Sequence, residues 1–81
     1  MREQLDAVLD QFRAGFDADG FDVAVDAVEP GGVVVVRVGH RPNCCEECLI
    51  PDDMLSGMLR MAMQKVAADV TRVDIKHEHL T

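Results

Sequence analysis

Three cysteines crowd into one short stretch, Asn43-Cys44-Cys45-Glu46-Glu47-Cys48-Leu49. Cys45 and Cys48 form a C-x-x-C, a spacing that lets both sulfurs turn towards one centre, as a tetrahedral metal or the edge of an iron–sulfur cluster requires. The same spacing suits a dithiol–disulfide couple. One C-x-x-C supplies two thiolates where a tetrahedral site or an iron–sulfur cubane takes four ligands. The remainder must come from Cys44, from a histidine, or from a second copy of the chain, and a two-fold dimer with a cluster between its subunits meets the count most simply. The plain alternative is a turn carrying three exposed thiols. Arg37 and Arg41 stand close by in sequence. They either favour thiolate over thiol or are simply solvated.

His40, His77 and His79 offer a second reading, a zinc site of mixed cysteine and histidine ligands, although histidines near a chain end are more often solvated. Met54, Met58 and Met63 fall on an apolar helical stripe, so core packing outweighs soft-metal binding for them. Asp52 and Asp53 read as helix caps before metal ligands. Glu3, Asp6 and Asp10 lie mainly off the apolar stripe of the first helix and read as a solvated face. Gly31-Gly32 is a hairpin turn and not a phosphate loop. Ser56, the one serine, has no base partner in sight for a triad. Hydrolytic and nucleotide chemistry are not expected.

Composition narrows the partners. Fifteen Asp and Glu stand against eight Lys and Arg, a net charge of −7, and no basic stripe interrupts them. Phosphate backbones are bound by neutralising them with Lys and Arg. Neither nucleic acid nor an anionic membrane surface is therefore an expected partner. No run of eighteen apolar residues is present, and Met1 leads into a segment with acids where a signal peptide carries bases. With clustered cysteines in odd number, a cytoplasmic, reducing location is expected.

The elements that must position this chemistry follow from periodicity. Leu5, Val8, Leu9, Phe12 and Phe16 recur at helical intervals, predicting a helix from Glu3 to about Asp17. Phe21 to Val28 alternates as a strand with one wet face, and Val33 to Val38 is a continuous β-branched run, as a central strand is. Glu29-Pro30-Gly31-Gly32 links them as an antiparallel hairpin. Gly39 to Pro51, with two prolines and all the cysteines, reads as a loop. A second helix follows with Met54, Leu55, Met58, Leu59, Met63 and Val66 as its stripe, then a strand over Val70 to Lys76 and a frayed tail over His77 to Thr81. The order α-β-β-α-β predicts a single α+β domain across residues 1–81, with two helices packed on one face of a three-stranded mixed sheet.

These residues resemble the NifU C-terminal domain family over essentially the whole chain. Ala18-Asp19-Gly20-Phe21-Asp22-Val23 is similar to the family's Ala-Asp-Gly-Gly-Asp-Val signature. Cys45 and Cys48 fall on its C-x-x-C, and Asp69-Val70-Thr71-Arg72-Val73 is similar to its closing Glu-Val-x-x-Val strand. The chain departs from the pattern at Phe21, Leu49, Met54 and Ala68, and about three extra residues lengthen the loop before Cys45. The resemblance implies a scaffold or carrier, and not an enzyme. Such a protein assembles a 4Fe–4S cluster bridged by two subunits, receives it from cluster donors and passes it to apo-protein clients. It carries over Cys45 and Cys48 as ligands; Cys44 stands as an additional candidate. Asp19 and Gly20 match as structural residues, Gly20 supplying positive φ at the helix-to-strand turn.

Overall fold

A computed structural model describes residues 2–44 and 50–79. The chain runs α1 (Arg2–Ala18), β1 (Phe21–Glu29), β2 (Val33–His40), α2 (Asp52–Gln64) and β3 (Arg72–His79), the α-β-β-α-β order expected. The strands form one sheet in the order β1-β2-β3. β1 and β2 pair antiparallel, with an irregularity between Val25 and Ala27, whereas β2 and β3 pair parallel. A parallel pair needs a crossover connection, and α2 supplies it.

Period-2 alternation decides which sheet face is dry. Phe21, Val23 and Val25 of β1, Val34, Val36 and Val38 of β2 and Val73 of β3 are all buried. They meet Leu5, Val8, Leu9 and Phe16 of α1 and Leu55, Leu59 and Met63 of α2 in one core. Both helices therefore cover the same face. Burying each of the large side chains contributes about 1.5–3 kcal/mol. The opposite face carries Arg37 with Glu78 at 3.6 Å, Arg72 with Asp74 at 3.0 Å and Lys76 with Asp26 at 3.7 Å. Exposed pairs of this kind contribute little, but charge on both edge strands discourages edge-to-edge pairing.

Four details correct the sequence reading. His77, Glu78 and His79 are not tail: they continue β3, opposite Val38, Gly39 and His40. The alternation of Val73 and Ile75 carries on into His77 and His79, and β2 offers backbone partners to its end. Gly39 and His40 belong to β2, opposite Asp22 and Phe21, so the cysteine loop begins at Arg41. Glu29 pairs with Val33, which shortens the hairpin turn to Pro30-Gly31-Gly32. On α2, Leu55, Leu59 and Met63 form the buried stripe, whereas Met54 is 63% and Met58 36% exposed. Positions 55, 59 and 63 follow the four-residue helical row, and Met54 and Met58 stand one residue off it, rotated towards solvent. Val66 lies beyond the end of α2 and is exposed.

Candidate functional site

The cysteine loop leaves the sheet at the end of β2 and returns to the fold at the start of α2. Its upstream end is fastened to the turn between α1 and β1. Gly20 has φ +90°, the positive value its place in the turn predicts, and its carbonyl accepts the Arg41 N–H at 3.1 Å. The Cys44 N–H donates to the Arg41 carbonyl at 3.0 Å, and Cys44, half-buried, packs against the core. An added Cβ on Gly20 would approach the Cys44 Cα to 2.6 Å, so glycine is what lets the two backbones pass. The Arg41 guanidinium reaches Asp17 at 2.5 Å, Asp22 at 3.2 Å and the Phe21 carbonyl at 3.2 Å. It thereby ties the end of α1 and the start of β1 to the loop. Both arginines near the cysteines are thus committed to carboxylates, Arg37 on the opposite sheet face and Arg41 at this turn.

The downstream end is fastened differently. Ile50 packs against the core, and the Leu55 N–H donates to the Pro51 carbonyl at 2.9 Å, opening α2. Pro51 occupies the N-cap position and provides no side-chain cap. The expected capping by Asp52 or Asp53 is not made. Both aspartates stand in the first turn, where the helix dipole favours negative charge. The Asp52 side chain turns instead to β3: its Oδ1 lies 2.7 Å from Nε2 of His77.

That contact belongs to a longer chain. Nδ1 of His77 lies 2.8 Å from Nε2 of His40, a ring that is 7% exposed. His40 sits edge-on to Phe21 with centroids 5.0 Å apart, and the His79 ring is 4.9 Å from it. The parallel register sets this up, placing His40 beside His79 and one inward position from His77. The three histidines considered as scattered ligands are therefore neighbours at the carboxyl ends of the two parallel strands.

Of the candidate ligands, Cys44 packs against the core at the upstream end, while Cys45 and Cys48 lie outside the described residues. Among the described residues, no three His, Cys, Asp or Glu side chains converge as a metal would require. An apolar groove of about 390 Å³ opens between α1 and α2, lined by Phe12, Phe16, Phe21, Ile50 and Met58, beside the loop's downstream end. Ser56, set aside as a nucleophile, donates its hydroxyl to the Val73 carbonyl and fastens α2 to β3. No described helix is long and apolar enough to cross a membrane.

The Asp52–His77–His40 chain is what sequence reasoning missed. The signal was present in the period-2 run Val73, Ile75, His77, His79, which puts both histidines on the inner face once the strand is allowed to continue. Comparison with family models, with curated proteins and with solved structures finds no match.

Proposed function

We propose that the chain is an iron–sulfur cluster carrier, in which Cys45 and Cys48 of two copies hold a 4Fe–4S cluster as cargo between them. The observation that carries this reading is the C-x-x-C itself, set within a loop whose two ends are anchored to the core. Cys44 packs at one end and Ile50 at the other. A short loop held at both ends limits the freedom its thiolates lose on binding. Two thiolates per chain fall short of the four that a cubane takes, and a second copy completes the set. The α-β-β-α-β fold agrees with what the resemblance to the NifU C-terminal domain implies, and fold alone does not assign function. On this reading the partners are cluster donors and apo-protein clients in the cytoplasm, and the chain turns over no substrate.

Anaerobic incubation with ferrous iron and sulfide tests it. The expected product is a brown dimer with about four iron atoms per two chains, lost in Cys45→Ser combined with Cys48→Ser. A colourless monomer, or loading unchanged in the double variant, would overturn the reading. A thiol–disulfide oxidoreductase is the runner-up. A reactive thiol usually lies at a helix N-terminus, whereas α2 starts at Asp52, beyond Cys48. Reduction of insulin disulfides by the Cys45–Cys48 pair would favour it. Stoichiometric zinc without iron in protein purified without air would select a zinc-stabilised interaction domain instead.

A further inference from the structure

We infer that the outer edge of β1 is a strand-addition surface for a second copy of this chain, and that Arg13 and Arg41 keep it closed. The backbone register shows which groups face outward. The Arg41 N–H donates to the Gly20 carbonyl, so Gly20 and Arg41 continue the β1–β2 register one step beyond Phe21 and His40. In an antiparallel pair, residues that bond across alternate with residues whose N–H and C=O point away. Asp22 and Ala24 therefore bond to β2, whereas the backbone groups of Phe21 and Val23 point out from the sheet. The strands are ordered β1-β2-β3, so no described strand lies beyond β1 to receive them.

Both outward carbonyls are taken by guanidinium groups. Nε of Arg13 donates to the Val23 carbonyl at 3.1 Å, and Nη2 of Arg41 donates to the Phe21 carbonyl at 3.2 Å. Carboxylates hold each guanidinium in place. Asp6 lies 3.6 Å from Nη2 of Arg13, and Asp10 pairs with its Nη1. Asp17 and Asp22 hold Arg41 at 2.5 and 3.2 Å. Asp6 and Asp10, which read as a solvated face in the sequence, thus aim Arg13 at the strand. A guanidinium offers no acceptor, so an incoming strand must displace it to reach the carbonyl beneath. Charge placed over a free edge keeps that edge unpaired.

The helix leaves this edge uncovered. A cleft of about 340 Å³ separates them, lined by Arg13, Ala14 and Asp17 of α1 and by Phe21, Asp22 and Val23 of β1. The space beside the strand is bridged by a long side chain and not filled by the helix. At the opposite edge of the sheet the short Ser56 side chain of α2 suffices to reach the Val73 carbonyl of β3. The occupant that fits the β1 edge is β1 of a second copy. A strand that runs antiparallel to its own two-fold mate presents the same alternation of donors and acceptors on both sides. The side chains of Phe21 and Val23 point into the core and leave the backbone of this stretch clear. The inference does not rest on the cluster reading, because the edge lies on β1 and needs no cysteine.

The test uses the cluster-free chain with its thiols kept reduced, so that neither metal nor disulfide joins two copies. Asp10→Ala combined with Arg13→Ala removes one acid and one base together and leaves the net charge at −7. Asp10→Ala alone leaves Arg13 on the Val23 carbonyl. In sedimentation velocity, the parent and the single variant should remain monomeric. The double variant should dimerise at a concentration about tenfold or more below any at which the parent does. Amide hydrogen exchange locates the contact. Val23, whose N–H points outward, should gain protection of about tenfold or more as dimers form, while Asp22 and Ala24, already bonded to β2, should not change. A double variant that stays monomeric overturns the inference, as does association that leaves Val23 exchanging at the parent's rate. Equal association of the single variant overturns it too. Should the double variant fail to fold, the parent decides. Its Arg13 Nε–H should give a resolved, slowly exchanging signal in nitrogen-resolved NMR, and a freely exchanging one overturns the closure.

Discussion

Gly20 and Cys44 pass so closely that a methyl group at position 20 would sit 2.6 Å from the Cys44 Cα and 3.0 Å from its Cβ. The obstacle is mainly backbone, which cannot swing aside as a flexible side chain would. Gly20 also holds φ +90°, a conformation that disfavours any Cβ by about 1–2 kcal/mol on its own. Gly20→Ala should therefore cost roughly 2–4 kcal/mol in urea unfolding and displace the upstream end of the cysteine loop. A loss below about 1 kcal/mol would mean that the loop end gives way freely and is not anchored there.

The hairpin turn supplies a paired experiment. Gly31 and Gly32 both have positive φ, +85° and +79°. A Cβ on Gly31 meets nothing within 4 Å, whereas one on Gly32 would lie 1.9 Å from the Asp69 carbonyl oxygen. Gly31→Ala should cost about 1–2 kcal/mol, the backbone term alone. Gly32→Ala should cost more, because the approach to β3 must open; there the Thr71 N–H donates to the Gly32 carbonyl at 2.9 Å. Equal losses in the two variants would show that this approach yields without resistance.

Periodicity made most of the fold legible before any coordinates. The alternation in Phe21 to Val25 and the unbroken valines of Val33 to Val36 determine which strand is central and which face is dry. Positive φ at Gly20 was also readable, because the turn into β1 requires it. The end of β3 was not, because His77 and His79 look like solvated residues until β2 provides partners for them. The side-chain bond of Asp52 was hidden for a related reason. A carboxylate before an apolar run signals a helix cap, and only the tertiary position of His77 draws it elsewhere. Methionine on a helix is ambiguous by nature: Met63 is buried, while Met54, one position off the row of Leu55, Leu59 and Met63, and Met61, on the opposite side of the helix, are exposed.

The buried and exposed sides of α2 carry contrasting costs. Leu59 is completely buried, and Leu59→Ala should lose about 2–5 kcal/mol through lost burial and the cavity left behind. Met61 is 64% exposed, and Met61→Gln should stay within about 0.5 kcal/mol of the parent. Thermal or urea unfolding of the two variants side by side checks the assignment. A large loss at Met61 would mean that this face of α2 is covered in solution.

Two glycines sit inside helices without any steric need for them. Gly15 of α1 and Gly57 of α2 would each place a Cβ in open space, with nothing within 4 Å. Neither has positive φ. Glycine in a helix interior costs about 0.5–1 kcal/mol relative to alanine, chiefly because the unfolded chain is freer. Gly15→Ala and Gly57→Ala should therefore each raise stability by about 0.5–1 kcal/mol, and the pair should add because the two sites share no partner. The urea midpoint should rise with an unchanged m-value, since no surface newly buried is involved. A neutral or destabilising result at either site would mean that a group unseen in the folded monomer approaches that helix, and the groove lined by Gly15 and Met58 is where such a contact would first be felt.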